Sequence, residues 1–486
     1  MTKSGNVFDL LQLRKLIDEL GEAQPQERTS LLGDTLAGPD GGRSHGGGDH
    51  ACDCAECGGD MLSFPPVELA CEADLARAVP QVPLVADALR LAAWTGTRPV
   101  GPGGLLPGPA ARAATAALGL PGPPGSARQA ARLHLLWVVA VNTRLLRING
   151  GTAEPGPLHR LSGLSETALL EFWDGVVMDV LDRADEGQEG GLTGSAVMDD
   201  HLAEVLATMY SVKDGLAPAV LAKGVLQSHE VACEAGQAEM RRLAGSLADE
   251  LTGALDLLAY CGLVEDAPHG RFRLSPLGVW AVRQDLLREG HDVPTEGEVA
   301  VFADLSAAEL VEAATSGAAA PSAVAVWLER RSPEEAAREL IAVAVSGSAG
   351  ARGTATAILE ELGPEAEAAV RDALGEPMVW RYAASWLHIR DLPAPCLTGD
   401  DNVWVAVDTL AALTCLPQSL STSAELGALE SGDDLVRLVE EMTSVDHPDT
   451  LSVLEMLGTH HPEPAVSKAA RKAAMKARSG VAPRLG

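Results

Sequence analysis

Aromatic side chains are scarce in this chain: phenylalanine, tryptophan and tyrosine make up 3% of its 486 residues. A ring-filled core, or a platform of stacked rings for single-stranded nucleic acid, has little to be built from. Cations are few as well. Lysine and arginine number 37 against 68 carboxylates, for a formal net charge of −31. Such a surface favours solubility and repels phosphate backbones, so any nucleic-acid contact must use a local basic patch against the global field. Long apolar runs are missing. The most apolar stretch, residues 133–148, is interrupted by Asn142, Arg144 and Arg147 and is too short and charged to span a bilayer. Residues 1–20 carry charges throughout and lack an apolar signal core, which predicts a cytoplasmic protein. Its eight cysteines are too sparse for a disulfide framework, and thiols in that compartment stay reduced.

Catalytic signatures are absent too. There is no Gly-x-x-x-x-Gly-Lys-Ser/Thr phosphate loop, no Gly-x-Gly-x-x-Gly after a strand and no His-Glu-x-x-His. The Gly-rich run at 347–353 follows no strand and lacks the phosphate-gripping lysine. Glu334-Glu335 and Glu360-Glu361 read as solvated helix faces. The expectation is a protein that is not an enzyme.

What is present is alanine, leucine and valine in abundance, a helix-forming composition. The length predicts several domains, and the expected fold class is mostly α and multidomain. Residues 1–64 read as an amphipathic helix (Leu10, Leu13, Ile17 and Leu20 on one stripe) followed by a Gly-rich flexible linker. Residues 65–184 read as a helical domain, with helices near 84–94, 110–118, 127–148 and 164–181. An acidic Gly-rich linker at 185–194 leads to a third region, 195–296. There a helix over 247–260 stops at Gly262. Leu263-Val264-Glu265 reads as a short strand and Arg271–Leu274 (RFRL) as its returning partner. Ser275-Pro276 opens the next helix. Helix, hairpin, helix is the ending of a winged-helix-like domain, with upstream helices near 201–210 and 218–227. Residues 303–479 read as short apolar-striped helices broken by Gly or Pro. Residues 355–377 and 450–477 each resemble a HEAT-type helical pair with a Leu-Gly turn, which implies a small α-solenoid.

Two clusters carry candidate chemistry. His50, Cys52, Cys54 and Cys57 offer the four Cys/His ligands that a tetrahedral Zn²⁺ ion takes, and Cys54 and Cys57 have the two-residue gap that lets both thiolates face one ion. The competing reading is a linker with solvent-exposed thiols. In the hairpin region, Arg241, Arg242, Arg271 and Arg273, with His269 at the tip, suit phosphate contacts. Against this, the helix over 247–260 bears Asp249, Glu250 and Asp256 and no cation, which suits a protein-binding domain. The basic C-terminal helix (Lys468, Arg471, Lys472, Lys476, Arg478) reads as a solvated face or as a contact for an acidic partner. His460-His461, with His447 upstream, reads as turn packing between helices.

Three segments, "LRLAAWTGTRPV", "GLVEDAPHGRFRLSPLGVWAVR" and "LGTHHPEPAVSKAARKAAMKARS", give the chain a resemblance to a set of uncharacterised actinobacterial proteins. These combine an N-terminal helical domain, a winged-helix-like hairpin and C-terminal HEAT-like helices. The resemblance covers most of the chain after the first linker and implies that layout, but no activity. Two functions follow as expectations. One is a DNA-associated regulator, with the winged-helix-like region on DNA and the helical repeats on a protein partner or a second copy. The other is an acidic protein-interaction scaffold that does not touch nucleic acid. Neither implies a membrane.

Overall fold

The computed structural model describes residues 62–185, 192–233, 237–414 and 433–480. The helix expected at 7–20 and the His50, Cys52, Cys54 and Cys57 cluster lie outside the described residues. The chain forms two compact units, Met1–Thr295 and Glu296–Gly486, and among the described residues it is mostly helical.

Along the first unit run α1 (Glu72–Ala78), α2 (Pro83–Thr95), β1 (Arg98–Pro99), α3 (Gly108–Leu118), α4 (Ala127–Asn142), β2 (Leu146–Asn149), β3 (Thr152–Pro155) and α5 (Glu166–Asp185). They are followed by α6 (Ala196–Asp200), α7 (Leu202–Tyr210), α8 (Pro218–Cys233), α9 (Gln237–Tyr260), β4 (Val264–Ala267), β5 (Arg271–Leu274) and α10 (Pro276–Arg288). The starts are chemically marked. Ser126, Ser195 and Ser275 accept from the third backbone N–H of α4, α6 and α10. Prolines sit in the first turn of α2 and α10, where a missing N–H loses nothing.

One core runs through the whole unit. It joins Leu84 and Leu91 of α2, Leu136 of α4 and Trp173 of α5 to Leu206 of α7, Leu255 of α9 and Leu277 of α10. Segments 65–184 and 195–296, expected as separate domains, therefore make one globule, because each completes the other's apolar face. Polar joints cross the same seam. The Tyr260 hydroxyl donates to Asp87 at 2.9 Å, and Arg288 pairs with Asp174. Near its N-terminal edge, the Phe64 N–H donates to the Asp292 carbonyl at 2.8 Å.

The helix expected over 127–148 ends early. α4 stops at Asn142, Arg144 takes φ 61°, and the chain turns into β2. Gly150 and Gly151, at φ 54° and 77°, form a two-residue reversal with the turn sense that suits twisted strands. Asn149 then pairs with Thr152 and Leu146 with Pro155. With β1 on the other edge, the strand order is β1-β3-β2.

The second unit contains α11 (Glu296–Ala303), α12 (Ala307–Thr315), α13 (Pro321–Glu329), α14 (Pro333–Ser346), α15 (Ala349–Glu360) and α16 (Glu367–Asp372). After these come α17 (Trp380–Ile389), α18 (Gly399–Thr414), α19 (Asp433–Glu441), α20 (Thr450–His460) and α21 (Pro464–Gly480). Capping boxes, Ser306 with Glu309 and Ser332 with Glu335, open α12 and α14. Packing passes along the chain, α11 on α13, α14 on α15, α15 on α18, α18 on α20 and α20 on α21. The two pairs expected from sequence differ in outcome. The 450–477 pair is α20 packed on α21. Gly458, expected in the turn, lies inside α20, where an added Cβ would stand 2.9 Å from Cγ of Arg471. The 355–377 segment gives α15 and α16, but α16 packs on α14 and α17. Among the described residues no helix is long and apolar enough to cross a membrane.

Candidate nucleic-acid interface

The hairpin expected at 264–274 is present, with register Val264 to Leu274, Glu265 to Arg273, Asp266 to Phe272 and Ala267 to Arg271. Alternation places Val264 and Leu274 in the core. The reversal runs through Pro268, His269 and Gly270, with His269 at φ 63° and Gly270 at φ 69°. β5 is also paired on its other edge. Leu216, between α7 and α8, donates to the Phe272 carbonyl at 2.8 Å and accepts from the Phe272 N–H at 2.9 Å. Upstream, α9 closes where the Leu263 N–H returns to the Leu258 carbonyl at 3.0 Å. Helix α9 begins ten residues earlier than the 247–260 expected. Its C-terminal half is anchored by Leu247, Leu251, Leu255 and Leu258.

The five arginine and histidine positions expected to meet phosphate fall into three situations. Arg241 and Arg242 are exposed in the N-terminal half of α9. His269 and Arg271 are exposed at the hairpin tip. Arg273 is engaged: its Nε and Nη2 both donate to Oε1 of Glu265, at 2.8 and 2.7 Å. The cross-strand register makes that pair, and its net charge toward an approaching anion is close to zero. Asp249 and Asp256 are exposed on α9, while Glu250 turns aside to accept from the Ser195 hydroxyl. Arg283 and Arg288, further arginines of the region, hold structure: the first donates to the Val293 carbonyl and the second pairs with Asp174 and Asp285. Of the five positions expected to meet phosphate, the exposed ones thus lie in the first turns of α9 and at the hairpin tip, with carboxylates between them in sequence.

The C-terminal basic helix is partly engaged within its own unit. Arg478 pairs with Glu455 at 2.5 Å, Lys472 lies 4.0 Å from Glu440, and Lys476 donates to the Thr443 hydroxyl at 3.1 Å. His461 accepts from the Glu463 N–H through Nδ1 at 3.1 Å, within the turn between α20 and α21.

A second polar cluster, not singled out in the sequence apart from His447, is buried between α15, α17, α18 and the loop before α20. Asp408 is fully buried and accepts four hydrogen bonds. Arg352 Nη2 and His447 Nε2 reach Oδ1 at 2.5 and 3.0 Å; Arg352 Nε and the Tyr382 hydroxyl reach Oδ2 at 2.8 and 2.7 Å. His447 Nδ1 accepts from the Asp449 N–H at 3.1 Å, which fixes the Nε2–H tautomer. Burial raises the Asp408 carboxyl, but the bonds from Arg352, His447 and Tyr382 outweigh it and hold it down at about 2. Burial and the neighbouring carboxylate push the Tyr382 hydroxyl up. Asp408, His447 and Asp449 have metal-ligand chemistry and lie close together, yet every carboxylate lone pair of Asp408 is taken and an arginine supplies the cation. The donor set fits a structural ion pair and not a metal ion.

A cavity of about 220 Å³ lies between α3 and α4 and is lined mainly by apolar groups, among them Leu106, Leu133 and Trp137. Its Gln129 is already committed to the Leu120 carbonyl and the Gly125 N–H.

No family model, curated protein or solved structure matches this chain.

Proposed function

We propose that the first unit contains a winged-helix-like module and that the protein is a non-enzymatic regulator that meets DNA through it. In this reading the helices of the second unit form a HEAT-like surface for a protein partner or a second copy. The resemblance to the actinobacterial set with that layout agrees with it. The pairing of Leu216 with Phe272 carries the reading. It makes the order α7, extended segment, α8, α9, β4, β5, with the first extended segment paired on the last strand, and so turns a lone hairpin into the edge of a three-stranded wing. In such modules the helix before the wing enters the major groove with its N-terminal residues, and the wing lies on phosphates. Here those places fall to Arg241 and Arg242 on α9 and to His269 and Arg271 at the tip, with Arg273 recruited only by releasing Glu265.

A second reading, a protein-binding scaffold, is favoured by Asp249 and Asp256, which would face phosphate if α9 entered a groove. The linker ligands His50, Cys52, Cys54 and Cys57 add a proposed zinc site, checked by metal analysis of the purified chain. The test of the main reading is fluorescence anisotropy of labelled genomic duplexes at about 50 mM salt, where phosphate contacts are strongest. Binding is expected, with log K falling by about 0.9 per phosphate engaged for each decade of salt. Replacing Arg241, Arg242 and Arg271 together with alanine is expected to abolish it. Absence of binding at that salt overturns the DNA reading and leaves the scaffold.

A further inference from the structure

The cavity between α3 and α4 offers a ligand few free polar groups. Trp137 lines it with its ring, because the indole N–H is spent on the Gly104 carbonyl at 3.1 Å. The Thr115 hydroxyl donates to the Ala111 carbonyl at 2.7 Å, Gln129 is committed to its own loop, and His134 is already engaged. Leu105, also in the lining, stays 43% exposed, so the cavity opens to solvent beside it. One lining side chain differs from these. Arg112, on α3, is exposed and makes no hydrogen bond or ion pair among the described residues.

The charge around the cavity departs from the rest of the chain. Residues 88–153 include the whole lining and hold seven arginines and no carboxylate, in a chain with 68 carboxylates. The acids that bound this stretch, Asp87 and Glu154, pair with Arg90 and Arg147. Asp179 of α5 accepts from Asn142 of α4. No side chain of α3 or α4 therefore repels an anion at Arg112, and the local attraction works against the global charge of −31. An engineered apolar cavity of about 150 Å³ holds benzene, so one of about 220 Å³ takes an apolar body of roughly seven to nine carbons. We propose that this cavity binds a small apolar carboxylate. The hydrocarbon body lies between Leu106, Leu133 and Trp137, and the carboxylate meets the Arg112 guanidinium. The site stands independently of the DNA reading.

The test is isothermal titration calorimetry of the full chain with straight-chain carboxylates from butanoate to dodecanoate, each below its micellar concentration. Saturable binding at one site is expected, with affinity rising about three- to fourfold per methylene and levelling off near nonanoate, where the cavity is full. Tighter binding of either octanoate or 3-phenylpropanoate supports the site, and assigns a chain or a ring to the ligand's body. 1-Octanol is expected to bind about tenfold more weakly than octanoate, and Arg112→Ala to remove that difference while leaving octanol binding unchanged. Ala130→Trp adds bulk at an exposed position of the lining and is expected to abolish binding of both. Should Ala130→Trp fail to fold, the chain-length series and Arg112→Ala decide. The site is overturned by an absence of saturable binding, or by affinity that keeps rising through dodecanoate as adsorption to a surface would. It is equally overturned by octanol binding as tightly as octanoate, by an octanoate preference that survives in Arg112→Ala, or by unchanged binding in folded Ala130→Trp.

Discussion

Gly278 lies so close beneath Leu263 that an added Cβ would stand 1.9 Å from the Leu263 carbonyl oxygen and 2.8 Å from its carbon. The same corner holds Gly262 at φ 81°, where a Cβ would meet Val82 at 2.8 Å and Trp173 at 3.3 Å. Between them Ser275 donates to the Gly262 carbonyl at 2.6 Å and accepts from the Gly278 N–H at 2.9 Å. Helix end, hairpin and following helix are therefore clamped at one point, and the clamp is pressed against α2 and α5. The glycines at both ends of "GLVEDAPHGRFRLSPLG" are there for want of room, not for flexibility.

Gly278→Ala should destabilise the first unit by about 2–4 kcal/mol, since backbone on both sides must move to admit one methyl group. Gly270→Ala at the hairpin tip is the control. It has φ 69° and open space around it, so only the left-handed backbone cost of about 1–2 kcal/mol applies. Denaturant unfolding followed at near-ultraviolet wavelengths separates the two. Equal losses would show that the corner is looser than its geometry.

Arg271 and Arg273 are two residues apart but electrostatically unlike, because Glu265 holds only the second. Arg271→Ala is expected to weaken DNA binding and lower the salt slope by about one. Arg273→Ala is expected to do less, and Glu265→Gln to strengthen binding by releasing the arginine. Anisotropy titrations over a salt series measure all three. A larger loss from Arg273 than from Arg271 would place the contact elsewhere.

The hairpin at 264–274 was legible because period-two alternation, a Gly stop and a Ser-Pro start all pointed the same way. The bridge on its outer edge was not, since a single residue, Leu216, pairs with Phe272 and leaves no periodicity to read. The β2–β3 hairpin carried its own signal, Asn149-Gly150-Gly151, but the apolar run before it hid the change of structure at Thr143. The joining of residues 65–184 to 195–296 was invisible for another reason: Gly262 meets Val82 and Trp173 across a long sequence separation, and Pro/Gly-rich connectors look like boundaries whether or not the flanks share a core. The candidate arginines could be named from sequence, but the pairing of Arg273 needed the register.

Cysteine reactivity should divide by burial. Cys261 is buried in the first core, and desolvation pushes its thiol up to about 12, with Arg132 opposing only in part. Cys71 and Cys396 are exposed. Timed alkylation of the native chain followed by peptide mass spectrometry should label Cys71 and Cys396 and leave Cys261 unmodified until denaturant is added. Early labelling of Cys261 would mean that the α9–β4 corner opens locally.

The buried pair of Arg352 and Asp408 should give the second unit a distinct acid response. In the folded chain the Asp408 carboxyl is held at about 2 by Arg352, His447 and Tyr382 against burial, whereas an unfolded aspartate titrates near 3.9. The unfolded chain thus takes up the proton first. The ionised carboxylate contributes about 2–3 kcal/mol above pH ~4, and this is lost as pH falls from about 4 to 2. Asp408→Asn leaves Arg352 buried without its counter-charge and should cost about 3–5 kcal/mol at neutral pH. The gap between the variant and the parent should then narrow by about 2 kcal/mol by pH 2, where about half of the parent's folded carboxyl is protonated. Tyr382→Phe keeps the ion pair and removes one of four donors, so it should cost only about 1 kcal/mol. Urea unfolding of the three chains between pH 2 and 7 measures this. A gap between parent and Asp408→Asn that stays constant with pH would mean that Asp408 is not the ionised centre of the cluster.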